Sequence, residues 1–204
     1  QAPFDDPSWG SYPRRFYRFS PSSVTVLLNT VTNADFSSPF VPNGVYFYYN
    51  PGTAPDQPWS FTGYSGVAND LGGASASFTV SDVFTRQYAF LQLAGAATPG
   101  AISQSVDFNQ AGAYTLFFRA AGRVPSGGSS GNLNYSVQVL PNAGGTSVLN
   151  VTNSVTDSAP FTTKFHPFTI NTPGKYIIKF TAVSGFGANS DNTALITDVG
   201  ISSP

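Results

Sequence analysis

The side chains best suited to gripping another surface are gathered in the first twenty-two residues, QAPFDDPSWGSYPRRFYRFSPS. Phe4, Trp9, Tyr12, Phe16, Tyr17 and Phe19 are interleaved with Arg14, Arg15 and Arg18. Pro3, Pro7, Pro13 and Pro21 forbid a stable helix there and discourage a central strand. Aromatic residues and Arg dominate interface hot spots, because they bury large area with few rotors and keep a polar tip. Residues 1–22 therefore read as an extended arm with a dock. The dock is either an open edge or end of the chain's own domain or, the preferred alternative, another copy of the chain. Nucleic acid is not an expected partner, because the formal net charge is -1 and no second basic run reinforces the Arg cluster.

Catalytic chemistry finds few candidates. Hydrolysis by a carboxyl pair needs two acids flanking a cleft, and the closely spaced pair in this sequence, Asp5-Asp6, lies in the arm. His166 stands alone before Pro167, and the chain has no Cys, which excludes thiol chemistry. No strand-turn-helix Gly-x-Ser-x-Gly elbow is present. A non-catalytic chain without a cofactor or a metal is expected.

These residues must be positioned by β structure. All ten acids are Asp, and Glu and Met are absent, whereas Val, Thr, Tyr and Phe are abundant. At 204 residues the chain holds one good-sized all-β domain, taken here as residues 23–204 behind the arm of 1–22. Charged residues make up 9 %, far below the roughly 25–35 % typical of a well-solvated surface. Solubility must come from Ser, Thr, Asn and Gly-rich loops, from glycans, or from burial of surface in an assembly. Asn134-Tyr-Ser136 and Asn150-Val-Thr152 fit the N-glycosylation pattern. The chain starts at Gln1 without an initiator Met, as expected of a removed leader or a cut fragment, and export is the favoured expectation. No apolar run is long enough to span a bilayer, so no membrane insertion is expected.

Strands are expected over Ser23–Thr32, Val45–Tyr49, Trp59–Thr62, Ala76–Val80, Tyr88–Leu93, Ala101–Phe108, Ala113–Ala121, Asn134–Leu140, Thr146–Asn153, Thr162–Ile170, Gly174–Val183 and Thr193–Ile201. Their even spacing predicts a single jelly-roll β-sandwich. Alternation places Tyr114, Leu116 and Phe118, and likewise Tyr176, Ile178 and Phe180, on core faces. Phe117 then becomes an exposed or partner-facing aromatic, or lies under a loop. Gly122–Gly131, GRVPSGGSSG, is a surface loop of the kind where ligands bind.

The order of short segments from Val31 onward carries a resemblance. Val31-Thr-Asn-Ala-Asp-Phe36, Tyr46-Phe-Tyr-Tyr49, Pro58-Trp-Ser-Phe-Thr-Gly63, Ser65-Gly-Val-Ala-Asn69, Tyr88-Ala-Phe-Leu-Gln92, Ile102-Ser-Gln104, Gly112-Ala-Tyr-Thr-Leu116, Arg119-Ala-Ala-Gly-Arg123 and Asp191-Asn-Thr-Ala-Leu-Ile196 follow one another. Over about 170 residues the chain resembles bacterial secreted modules of the galactose-binding-like jelly-roll type, which accompany glycan-degrading enzymes. Two positions depart from that pattern: Ser37 stands where such modules often carry an acid, and Thr197 replaces an Asp near the end. In related jelly rolls these acids help hold calcium, which needs six to eight oxygens. Asp35 and Asp198 remain as oxygen donors, and no bound metal is expected.

The resemblance implies carbohydrate binding. A sugar has an apolar ring face and a hydroxyl rim, so its site pairs an aromatic platform with Asn, Asp and Arg. The candidates are Trp59, Tyr64, Asn69, Arg123, Asp191 and Asn192, with core packing as the competing role for Trp59 and turn formation for Asp191 and Asn192. The favoured expectation is an exported structural subunit that assembles with copies of itself, into a filament, surface layer or coat, through the arm. The alternative is a lectin-like module that recognises extracellular glycans.

Overall fold

A computed structural model describes residues 31–49, 58–69, 87–93, 98–124, 132–186 and 192–203. The arm of residues 1–22, most of the strand expected over Ser23–Thr32, the strand expected over Ala76–Val80, and Asp191 lie outside them.

The described residues form strands β1 (Val45–Tyr48), β2 (Ser60–Thr62), β3 (Ser65–Asn69), β4 (Gln87–Leu93), β5 (Ala101–Phe108), β6 (Gly112–Gly122), β7 (Asn132–Pro141), β8 (Leu149–Val155), β9 (Thr162–Ile170), β10 (Gly174–Phe186) and β11 (Asn192–Ser202). They build two sheets, ordered β1-β3-β4-β11-β6-β9 and β2-β5-β10-β7-β8. Every neighbouring pair is antiparallel. The molecule is an all-β jelly-roll sandwich. Strand β3 was not expected: SGVAN lacks alternation because it is buried on both faces. Strand β8 starts later than expected, after a turn in which Gly144 and Gly145 take φ of 89° and 120°.

Alternation explains the core. Tyr114, Leu116 and Phe118 of β6 and Tyr176, Ile178 and Phe180 of β10 all point inward and are buried. A line of rings runs through the interior: Phe36 to Trp59 at 5.0 Å, Trp59 to Phe180 at 6.4 Å, and Phe180 to Phe118 at 5.0 Å. Phe117 is half-buried, opposite Gly200 on β11, and a Cβ at Gly200 would overlap its ring. The missing side chain thus makes the seat for Phe117.

His166 projects into the sandwich from β9 and stacks on Phe118 at 5.7 Å, with its Nε2 buried and lacking a hydrogen-bond partner. It is the chain's single histidine. Burial, assisted by the charge of Lys164, lowers its pKa below the ordinary 6.5. As pH falls, the unfolded chain takes up the proton first. The stability contributed by the neutral ring is therefore present above about pH 6.5 and lost from there toward the lowered folded value. Thermal melts should show stability falling as pH drops below about 7, at no more than about 1.4 kcal/mol per pH unit. His166→Phe, which keeps a ring on Phe118, should flatten that slope. An identical slope in both proteins would refute the assignment.

The outer faces of the two sheets differ. On the five-stranded sheet, Thr62, Ser103, Ser105, Ser136, Gln138 and Asn150 alternate with the core residues, and Lys175 faces Asp107 at 3.7 Å. On the six-stranded sheet, a second apolar cluster joins Ala68, Tyr88, Phe90, Ala121, Phe161 and Leu195, with Tyr46 packed against it. Among the described residues, apolar packing on an outer face is therefore concentrated on the six-stranded side.

Candidate functional site

Strand β1 reads VYFY, and the two-residue period puts Tyr46 and Tyr48 together on the outer face. Both rings meet Phe90 of β4 edge to face, at 6.2 Å and 5.1 Å. They also meet each other, at 5.6 Å and 89°. The Tyr48 hydroxyl donates to Gln92 Oε1 at 2.6 Å. Tyr48 is thus held at its ring and at its tip, yet it remains 41 % exposed.

Tyr64 comes to the same place from the turn between β2 and β3. Gly63 turns the chain at φ +61°, and a Cβ there would run into the carbonyls of Thr98 and Pro99. Backbone bonds lace the turn to its neighbours: Tyr64 N–H to Thr98 O at 3.3 Å, Gln92 N–H to Tyr64 O at 2.9 Å, and Gly100 N–H to Gln92 O at 3.0 Å. Ser65 Oγ adds contacts of 3.0 Å to the carbonyls of Thr62 and Ala101. On this frame Tyr64 is 40 % exposed, and its ring lies 5.8 Å from that of Tyr48 at 85°. Among the described residues, Tyr48, Gly63, Tyr64 and Thr98 line an open recess of about 500 Å³. That volume lies within the usual range for small-ligand sites, roughly 300–1,000 Å³.

The same end of the sheet gathers polar groups. Gln92 of β4 is opposite Thr193 of β11, Asn192 is opposite Leu93, and the Arg123 N–H reaches Thr193 O at 3.5 Å. Gln92, Arg123, Asn192 and Thr193 are all buried. The Asn192 Oδ1 and Thr193 Oγ1 have no hydrogen-bond partner there. Such groups normally find one, if only in water.

Of the six candidates for sugar contact, Tyr64, Arg123 and Asn192 thus reach one end of the six-stranded sheet. Trp59 does not join them. It is 2 % exposed, stacks on Phe36, and donates from Nε1 to Asn33 O at 3.1 Å. Asn69 is buried at the opposite end of β3, where its Nδ2 bonds Val41 O at 2.8 Å and holds the entry to β1. Tyr48 and Gln92 were missed as site residues. The signal for Tyr48 was the alternation within Tyr46-Phe-Tyr-Tyr49, whereas nothing local marks Gln92.

The two acids considered for calcium are otherwise engaged. Asp198 pairs with Arg119 at 3.8 Å, and Asp35 Oδ1 accepts from the Ser37 N–H at 3.2 Å. Among the described residues no three His, Cys, Asp or Glu side chains come together as a metal cluster. No helix among them is long and apolar enough to cross a membrane.

No family model matches the sequence, and neither does any curated protein. Solved structures do match. One is TmCBM61 in complex with β-1,4-galactotriose, at 15 % identity and a TM-score of 0.52, over 85 % of this chain and 97 % of that one. A CBM4 structure matches at 20 % identity and 0.53, over 86 % of this chain and all of the other. A cyclase from Fischerella sp. TAU, in complex with 4-(1H-indol-3-yl)butan-2-one, matches at 18 % identity and 0.59, over 86 % of this chain and 96 % of that one. At these identities the likeness concerns the fold, and a fold hosts more than one chemistry. This chain therefore has the jelly-roll β-sandwich fold found in carbohydrate-binding modules, a fold that a cyclase also uses.

Proposed function

We propose that the chain is a non-catalytic module that binds extracellular glycans in the recess between Tyr48 and Tyr64. The observation that carries this reading is the pair of exposed, fixed tyrosine rings opening onto a cavity of sugar size. An aromatic face takes the C–H side of a pyranose, and neighbouring hydroxyls and carbonyls take its rim. The fold shared with TmCBM61, solved with β-1,4-galactotriose, supports it. Self-assembly through the arm of residues 1–22, the favoured expectation from sequence, concerns residues outside those described, and the glycan reading uses none of them.

The test is retention on a glycan array that includes β-1,4-galactotriose. Tyr48→Ala and Tyr64→Ala should each weaken binding about tenfold or more, the loss expected when a central aromatic anchor is removed. Lys175→Ala, on the outer face of the other sheet, should leave binding unchanged. Retention indifferent to both tyrosines would remove the recess from consideration.

A further inference from the structure

We infer that the recess takes a single neutral sugar ring at a chain end, in preference to a run of internal residues of a polysaccharide. The inference rests on the glycan reading above and deepens it.

An extended glycan continues on both sides of any internal ring. A site for such a run therefore needs a trough that is open at both ends, with platforms tilted alike along its length. The rings here are arranged otherwise. Tyr48 and Tyr64 stand at 85° with centroids 5.8 Å apart, which forms a corner. A pyranose stacked on one ring meets the other with its edge, so the second ring crosses the path of the next sugar. Tyr46 stands at 89° to Tyr48 and so does not extend the Tyr48 face.

The remaining wall is backbone held in place. The Gly63–Tyr64 turn is tied to Thr98, and a Cβ at Gly100 would overlap the Tyr64 carbonyl oxygen. That close packing keeps the wall from swinging away to lengthen the site. The corner is also fixed from beneath, by the Tyr48 hydroxyl on Gln92 and by the Phe90 ring under Tyr48 at 5.1 Å.

The described residues of the lining carry no charge. Tyr48, Gly63, Tyr64 and Thr98 offer hydroxyls, carbonyls and ring faces, which suit hydroxyls and leave a carboxylate or sulfate without a counter-charge. Arg123 lies at the same end, but β11 separates its strand from β4. The backbone of Arg123 is thus about 10 Å from that of Gln92 at ordinary strand spacing.

The experiment has two stages, both on the full chain. An array of neutral and acidic glycans identifies the sugars retained. Calorimetry then measures affinity and stoichiometry for matched oligosaccharides of two to six units and for the parent polymer. The expected result is retention of neutral glycans, with a dissociation constant that stays within about twofold as length grows and one site per chain whatever its length. Affinity that climbs about tenfold or more with length, or several sites per polymer chain, would overturn the inference and leave glycan binding intact. Retention of acidic glycans alone would overturn it likewise. Failure to retain any glycan on the array would overturn both the inference and the glycan reading on which it rests.

Discussion

Trp59→Ala should cost the fold about 3–5 kcal/mol, the usual range for deleting a large buried aromatic side chain. The indole is 2 % exposed, touches Phe36 and Phe180, and donates its single N–H to the carbonyl of Asn33. Truncation removes the contact that ties residues 33–36 to the main core and leaves that carbonyl without its partner. For a domain of this length each kcal/mol moves the melting temperature by about 2–4 °C, so a fall of about 10 °C is expected in a thermal melt. Trp59→Phe separates the two contributions. It keeps most of the ring volume and loses the hydrogen bond, for about 1 kcal/mol from the bond itself and somewhat more from imperfect packing. Glycan affinity of Trp59→Phe should match the unaltered chain, because the indole sits in the core. Lost affinity with an unchanged melting temperature would instead make Trp59 a ligand platform.

How far the sequence anticipates this molecule depends on burial geometry. Strands β5 and β9 form with the bounds expected for them, and in β5 one-sided burial writes alternation into the chain. Strand β3 is covered on both faces and consists of small residues, so SGVAN carries neither alternation nor strong β propensity. The site follows the same logic. Tyr64, Arg123 and Asn192 stand out locally, as an aromatic in a turn, a cation at a strand end and an amide at a strand start. Their meeting at one end of a sheet depends on strand order, with β4 and β11 adjacent although a hundred residues apart in sequence. Gln92 shows the limit most clearly. Its role comes from the Tyr48 hydroxyl 44 positions away, and no local pattern encodes that pairing. Trp59 shows the reverse problem, since a lone tryptophan in a turn-rich stretch suits a ligand platform and a core anchor equally, and only the packing decides.

Gly66→Ala tests the link between the fold and the proposed site. Gly66 is opposite Tyr48 on one side and Phe90 on the other, so it lies beneath the aromatic corner. A Cβ there would overlap the Phe47 carbonyl oxygen and come within 2.8 Å of Phe90 Cζ. The ring could yield by rotating, but the carbonyl belongs to the β1 backbone, so β1 must shift. Overpacking of this kind costs about 1–3 kcal/mol. Among the described strands, the four residues of β1 form the edge of the sheet, so the shift falls where least holds it. Tyr48 rides on that strand, and displacing it breaks both its bond to Gln92 and its right-angle relation to Tyr64. Gly66→Ala should therefore lose stability and at least about tenfold in glycan affinity together. Gly112→Ala is the control, because a Cβ there meets nothing nearer than Tyr114 Cε2 at 3.9 Å, and it should change neither. If Gly66→Ala melts like the unaltered chain and binds as tightly, β1 does not press on Gly66, and the corner on which the glycan reading depends is not held as the structure holds it.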